Sequence, residues 1–225
     1  FVDLADLDAE SEHAIYSKEE RFSTDLSKPA GQQADYAAYT VNPWKYPDDP
    51  RLHIWSANAW FQWVRGVPLL FVSNMGQDCV QAYRFNLLSN GETAIPAALF
   101  SKKPVKVKED GWPRGQPAAG AWCWTDRNGD GAIQADEYDV IEKAGGGCVF
   151  VDAQCTLWRV FSDAAYGVAF KGFTDAGVPL WDWKNAREIG RPAEVDELRR
   201  FKVDAVRDIV AFGGDAGEDK HQHWK

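Results

Sequence analysis

One methionine occurs in 225 residues, and the chain begins with Phe1, so the native start is expected to lie further upstream. No apolar run reaches the roughly eighteen residues that a membrane-spanning helix needs, so no such span is expected. A signal peptide is also missing, as it would be if processing had removed one. Basic stretches are scarce. Lys102, Lys103, Lys106 and Lys108 alternate with Pro and Val and run into Glu109 and Asp110, and the whole chain carries a net charge of −9. Such a surface repels nucleic acid, which is excluded as a partner. CxxC pairs are absent, so a zinc site of closely spaced thiolates is not expected. So are GxSxG, HExxH, the P-loop and GxGxxG, which leaves no catalytic residues to assign.

The four cysteines, Cys79, Cys123, Cys148 and Cys155, admit two disulfides or four buried thiols. If bridges form, Cys123 with Cys148 on neighbouring strands suits the geometry better than the offset pair Cys148 and Cys155. Eleven tryptophans stand out, and the length suffices for one large core or two small ones.

The sharpest signal is the run Asp126 to Glu137, DRNGDGAIQADE. Calcium is a hard cation that takes six to eight oxygens at variable angles. Asp126, Asn128 and Asp130 occupy loop positions one, three and five, where side-chain oxygens meet at a common centre. Gly131 permits the sharp turn at position six, and Ala132 offers its carbonyl at position seven. Gln134 ligates directly or through water, and Glu137 closes the site with a bidentate carboxylate. Ile133 is the apolar anchor. A metal-free Asx-turn explains an isolated NGDG but not the glutamate seven residues beyond Asp130. The loop is therefore read as a Ca²⁺ site.

The flanks say what kind of site. Pro117 to Trp124 follows a Pro/Gly-rich stretch and reads as an extended strand. Tyr138 to Lys143 leaves room for barely two helical turns before Gly145-Gly146-Gly147. Without two helices there is nothing to open on binding, so a structural ion is expected rather than a sensor.

Elsewhere the chain reads as short strands. Leu52 to Trp55 alternates like a strand. Three hairpins follow: Leu69–Asn74 with Cys79–Phe85, Cys148–Val151 with Cys155–Val160, and Tyr166–Phe170 with Val178–Trp183. Glu194–Arg200 looks helical, and Val203–Phe212 looks like a further strand pair. Residues 1–50, with a possible short helix from Ser17 to Phe22, read as an arm or a connection lacking period-two patterning. Strands at about four per 40 residues over 51–225 match a propeller blade. The fold class expected is all-β: a β-propeller, or a fragment of one, with four-stranded antiparallel blades and Phe71, Val80, Phe150, Leu157, Val168 and Leu180 buried.

With these residues in place, the chain resembles bacterial NHL-like β-propeller proteins that carry an EF-hand-type loop between strands. The resemblance rests on FVSNMGQDCVQAYRF (71–85), WCWTDRNGDGAIQADEY (122–138), VFVDAQCTLW (149–158) and FTDAGVPLWDW (173–183). In the third stretch Cys155 stands where such blades carry glycine. The resemblance implies a secreted, periplasmic or cell-surface setting and a calcium-stabilised binding or structural module within a larger chain. The competing class is a carbohydrate-active enzyme, a polysaccharide lyase or glycoside hydrolase, with its site in the propeller funnel.

Secondary candidates are weaker. Trp55, Trp60 and Trp63, and the pairs Trp122/Trp124 and Trp181/Trp183, are potential stacking platforms for a glycan partner, but period-two spacing favours packing for the two pairs. A protein partner is equally compatible. His221, His223 and Asp219 form a loose metal candidate near the C-terminal end. Asp48/Asp49 and Asp163/Asp182 are carboxylates that glycosidase chemistry would need in pairs.

Overall fold

The computed structural model describes residues 6–7, 14–107, 111–141, 143, 146, 148–204, 207, 209–215 and 222–224. Strands dominate, and every strand pairing is antiparallel.

The first sheet is a meander of β1 (Asp6–Leu7), β2 (Ala14–Tyr16), β3 (Glu20–Thr24) and β4 (Ala34–Tyr39). The expected N-terminal arm is thus a sheet, and the helix expected from Ser17 is replaced by a turn into β3. The short helix α1 (Pro50–His53) follows, where a strand was expected at Leu52–Trp55. The local chemistry explains this correction: the Asp49 carboxylate accepts from the Arg51 amide as N-cap, and Pro50 fits the first helical turn.

The central sheet runs β5 (Asn58–Val64), β6 (Val67–Ser73), β7 (Cys79–Phe85), β8 (Ala94–Ser101), β9 (Ala121–Thr125) and β10 (Tyr138–Ile141), a simple meander with α2 (Leu87–Asn90) between β7 and β8. Arg65 and Gly66 join β5 to β6, both at positive φ, as the tight turn matched to strand twist requires. β7, β8 and β9 are buried on both faces along almost their whole length. Their near-continuous apolar sequences are the signature of strands covered on both sides.

A third sheet holds β11 (Cys148–Val151), β12 (Leu157–Val160), β13 (Ala164–Val168) and β16 (Arg187–Gly190). Between β13 and β16 the hairpin of β14 (Phe170–Phe173) and β15 (Pro179–Trp181) is inserted. The third expected hairpin is therefore displaced: Tyr166 lies on β13 and pairs back onto β12, while Pro179–Trp181 pairs with β14. Last come β17 (Glu197–Asp204), β18 (Ile209–Asp215) and β19 (Gln222–Trp224). The helix expected at Glu194–Arg200 is a turn leading into β17. Leu198 and Phe201 both point inward, three residues apart, because a bulge shifts the register between Leu198 and Arg200. That spacing imitates a helix in sequence.

The sheets stack in chain order. Phe61, Leu70, Val72 and Tyr83 of the central sheet pack against Tyr16 of the first. Leu69, Phe71, Val80 and Phe100 on its other face meet Val149, Leu157, Val168 and Trp181. Trp158 and Val160 of the third sheet pack on Leu198 and Phe201 of the last. Burying side chains of this size stabilises the fold by roughly 1.5–3 kcal/mol each. Of the expected core residues, Phe71, Val80, Leu157 and Val168 are buried, whereas Phe150 and Leu180 are half-buried. The sheets are open, and no closed ring is formed by the described residues.

Cys79, Cys123 and Cys155 are buried free thiols, and the side chain of Cys148 lies outside the described residues. Cys155 has φ +63°, in the left-handed region. Glycine serves that region without strain, so this turn position is one that glycine would occupy at lower cost than Cys155.

Candidate metal centre

β9 delivers the loop. It is held between β8 and β10, with Trp122 opposite Val140 and Trp124 opposite Tyr138. The Asp126 amide then donates to the Ala97 carbonyl at 3.0 Å, so the first loop residue is still fixed to the sheet. A strand enters the loop, as the sequence indicates. The exit is a single 3-10 turn, Ala135–Glu137, followed directly by β10, so the stretch that left room for barely two helical turns is a strand over Tyr138–Ile141.

Within the loop, polar groups satisfy one another. Asn128 Oδ1 accepts from the Asp130 amide at 2.9 Å, and Asp130 Oδ1 accepts from the Ala132 amide at 2.8 Å. Asp130 Oδ2 accepts from Asn128 Nδ2 and from Gln134 Nε2. Glu137 is buried at the floor, where Oε1 accepts from the Arg127 and Asn128 amides at 2.8 and 3.3 Å and Oε2 accepts from the Trp124 indole at 2.9 Å. Its carboxylate is thereby aimed back across the start of the loop, as a closing ligand must be.

Two glycines make the fold of the loop possible. Gly129 and Gly131 have φ of +80° and +76°. A Cβ on Gly131 would lie 2.7 Å from Tyr46 Cε1, and one on Gly129 would lie 2.6 Å from the Ala176 Cβ. Bare backbone is required at both places. Ile133 is buried against Leu99, Trp122 and Trp124, as expected of the anchor.

Asp126 departs from this self-sufficiency. Its side chain is 0% exposed, yet neither carboxylate oxygen has a hydrogen-bond partner, and Gln134 Oε1 is likewise buried and unpartnered. Burial raises the Asp126 carboxyl above its ordinary value. The Gly131 amide and Arg84 oppose that rise, although neither makes a hydrogen bond of full geometry to the carboxylate. Buried oxygens without hydrogen bonds are costly, and Arg84, 3.5 Å from Asp126 Oδ2, offsets that cost by charge alone.

The oxygen-rich donor set fits a hard divalent ion. Asp126, Asn128, Asp130, Ala132 through its carbonyl, Gln134 and Glu137 would hold calcium, which would supply charge neutralisation of the loop. Among the described residues, no three His, Cys, Asp or Glu side chains converge within metal-holding reach. Asp126, Asp130 and Glu137 are therefore not gathered as a set of three carboxylates, and a full ligand set would draw on amide and carbonyl oxygens as well.

The other candidates separate. Asp49 is fully buried and bound to Arg51, and Asp182 accepts from Asn185. Trp122, Trp124 and Trp181 are buried, Trp60, Trp63 and Trp183 are partly buried, and Trp55 is 60% exposed. Trp55 lines a cleft of about 1080 Å³ with His53, Asp78, Lys103, Val105 and Lys106. His221 and Asp219 lie outside the described residues, as does the side chain of His223. No helix among the described residues is long and apolar enough to cross a membrane.

Sequence reasoning missed three supports of the loop: Arg84 beside Asp126, Tyr46 against Gly131, and the Trp124 indole on Glu137. The first two come from distant parts of the chain and leave no local signal. Compared with known proteins, the chain matches no family model, no curated protein and no solved structure.

Proposed function

We propose that the chain is a calcium-stabilised β-propeller module of an extracytoplasmic protein, one piece of a larger chain, with a binding or structural role. The observation that carries the calcium reading is Asp126: a fully buried carboxylate whose two oxygens accept no hydrogen bond, with Arg84 3.5 Å away as its ion-pair partner, at position one of a loop whose spacing is complete. Buried oxygens without hydrogen bonds cost about 1–3 kcal/mol, part of which a bound cation would recover. Because β9 and β10 are strands fixed to one sheet, the ion would lock a connection rather than drive a motion.

The propeller reading is supported by successive antiparallel sheets that stack face to face in chain order, as blades do. Four-stranded sheets at β1–β4 and at β11–β12–β13–β16 fit blade size. A glycan partner is placed by this reading at the Trp55 cleft, where an exposed indole offers a stacking face beside lysines.

Isothermal titration of the metal-free chain tests the calcium reading. One saturable Ca²⁺ per chain is expected, lost in Glu137→Gln. Absence of calcium heat from wild type, or unchanged affinity in the variant, would remove the basis of the proposal.

A further inference from the structure

Arg84 lies outside the calcium loop in sequence but against it in space. It stands on β7, opposite Ile95 of β8, and only 6% of it is exposed. Its Nη2 donates to the Gly129 carbonyl at 2.7 Å and lies 3.5 Å from Asp126 Oδ2, while its Nε has no partner. A Cβ on Gly129 would lie 3.7 Å from Arg84 Nη2, and one on Gly177 would lie 4.0 Å from Arg84 Cδ, both ordinary contact distances. The Arg84 side chain thus lies between the loop and the turn of the β14–β15 hairpin.

This placement is electrostatically ambivalent. The guanidinium neutralises Asp126 at short range, yet it satisfies neither carboxylate oxygen by a hydrogen bond. It holds the loop through a backbone carbonyl instead, leaving both Asp126 oxygens available. A divalent cation on Asp126 would then face a like charge in a buried setting where screening by salt is weak.

We infer that Arg84 is a built-in counter-cation of the loop: it holds the metal-free loop in its folded geometry and competes with calcium for the charge of Asp126, setting the affinity low. This inference rests on the calcium reading above. It places the wild-type dissociation constant in the weak range of extracellular calcium modules, about 10⁻⁴ to 10⁻³ M. The protein would fill the loop in a calcium-rich medium and hold it shaped, but empty, where calcium is scarce.

The test is isothermal calcium titration of the full chain as wild type, Arg84→Gln and Arg84→Lys. Arg84→Gln removes the charge and, two bonds shorter, also gives up the bond to the Gly129 carbonyl; it should bind calcium at least about tenfold more tightly, or about 1.4 kcal/mol. Arg84→Lys keeps the charge and should stay within about threefold of wild type, a factor below 1 kcal/mol. In chelator, Arg84→Gln should melt below wild type. If it does not fold without metal, its dissociation constant is read from the calcium dependence of its melting temperature. Wild type that binds calcium while Arg84→Gln binds no tighter would overturn the counter-cation and leave the loop reading intact. Equal tightening in Arg84→Lys would overturn it too, because charge would not be the cause. No calcium binding by any of the three would overturn the loop reading itself.

Discussion

Glu137→Gln separates two duties of one carboxylate. In the folded chain Glu137 accepts three N–H bonds: from the Trp124 indole on Oε2, and from the Arg127 and Asn128 amides on Oε1. Glutamine has the same shape but only one accepting oxygen. If that oxygen serves the two amides, its NH₂ faces the Trp124 N–H, and a buried donor loses its partner. The cost is about 1–3 kcal/mol for the stranded indole, with a further loss of about 1 kcal/mol as the remaining bonds lose their charge assistance. A total of about 2–4 kcal/mol in a chain of this size lowers the melting temperature by roughly 4–16 °C. This loss is expected in chelator, before calcium enters. Calcium should then widen the gap. Wild type gains about 2.7 kcal/mol at a hundredfold excess over its dissociation constant, and the variant gains almost none. Differential scanning calorimetry with and without chelator reads both effects. A variant melting within 2 °C of wild type in chelator would show that Glu137 does not cap the empty loop, and the reasoning from its three bonds would fail.

Other consequences are equally direct. Chelator should lower the wild-type melting temperature while far-UV circular dichroism stays β-type; a large helical gain on adding calcium would revive the sensor reading. Asp49→Asn strands the buried guanidinium of Arg51, which Asp49 binds at 2.6 Å, and should cost about 3–5 kcal/mol. A drop in melting temperature below 2 °C in that variant would refute the dependence of the first sheet on this pair. Burial pushes the Cys79 thiol up to about 11 and raises Cys123 and Cys155 further. At pH 8, a thiol reagent should therefore modify no more than one cysteine in the native chain, and all four in denaturant. Rapid native labelling of two or more would contradict that burial, and a denatured count below four would reveal a disulfide.

Much was legible in the residues alone. DRNGDGAIQADE carries its oxygens at fixed offsets, so a local sequence suffices to place the candidate donors and the two glycines that turn the loop. The hairpins at Val67–Phe85 and Cys148–Val160 were equally local, because their continuous apolar runs and short turns pair with the nearest neighbour in the chain. The failures were local as well. Leu52–Trp55 alternates but is capped into a helix by Asp49 and Pro50, and a bulge at Leu198–Arg200 disguises β17 as helix.

The sequence by itself determined the spacing of the loop's candidate oxygen donors and the β character of the chain, since both follow from side chains a few residues apart. What only the tertiary structure decided is the surroundings of those residues. The Asp126 carboxylate is buried without hydrogen bonds because β8 and β9 carry it into the interior, and Arg84 meets it because β7 lies beside β8. Forty-two residues separate the two along the chain (126 − 84). Charge acts through space at 3.5 Å, and no spacing rule along a sequence records that distance.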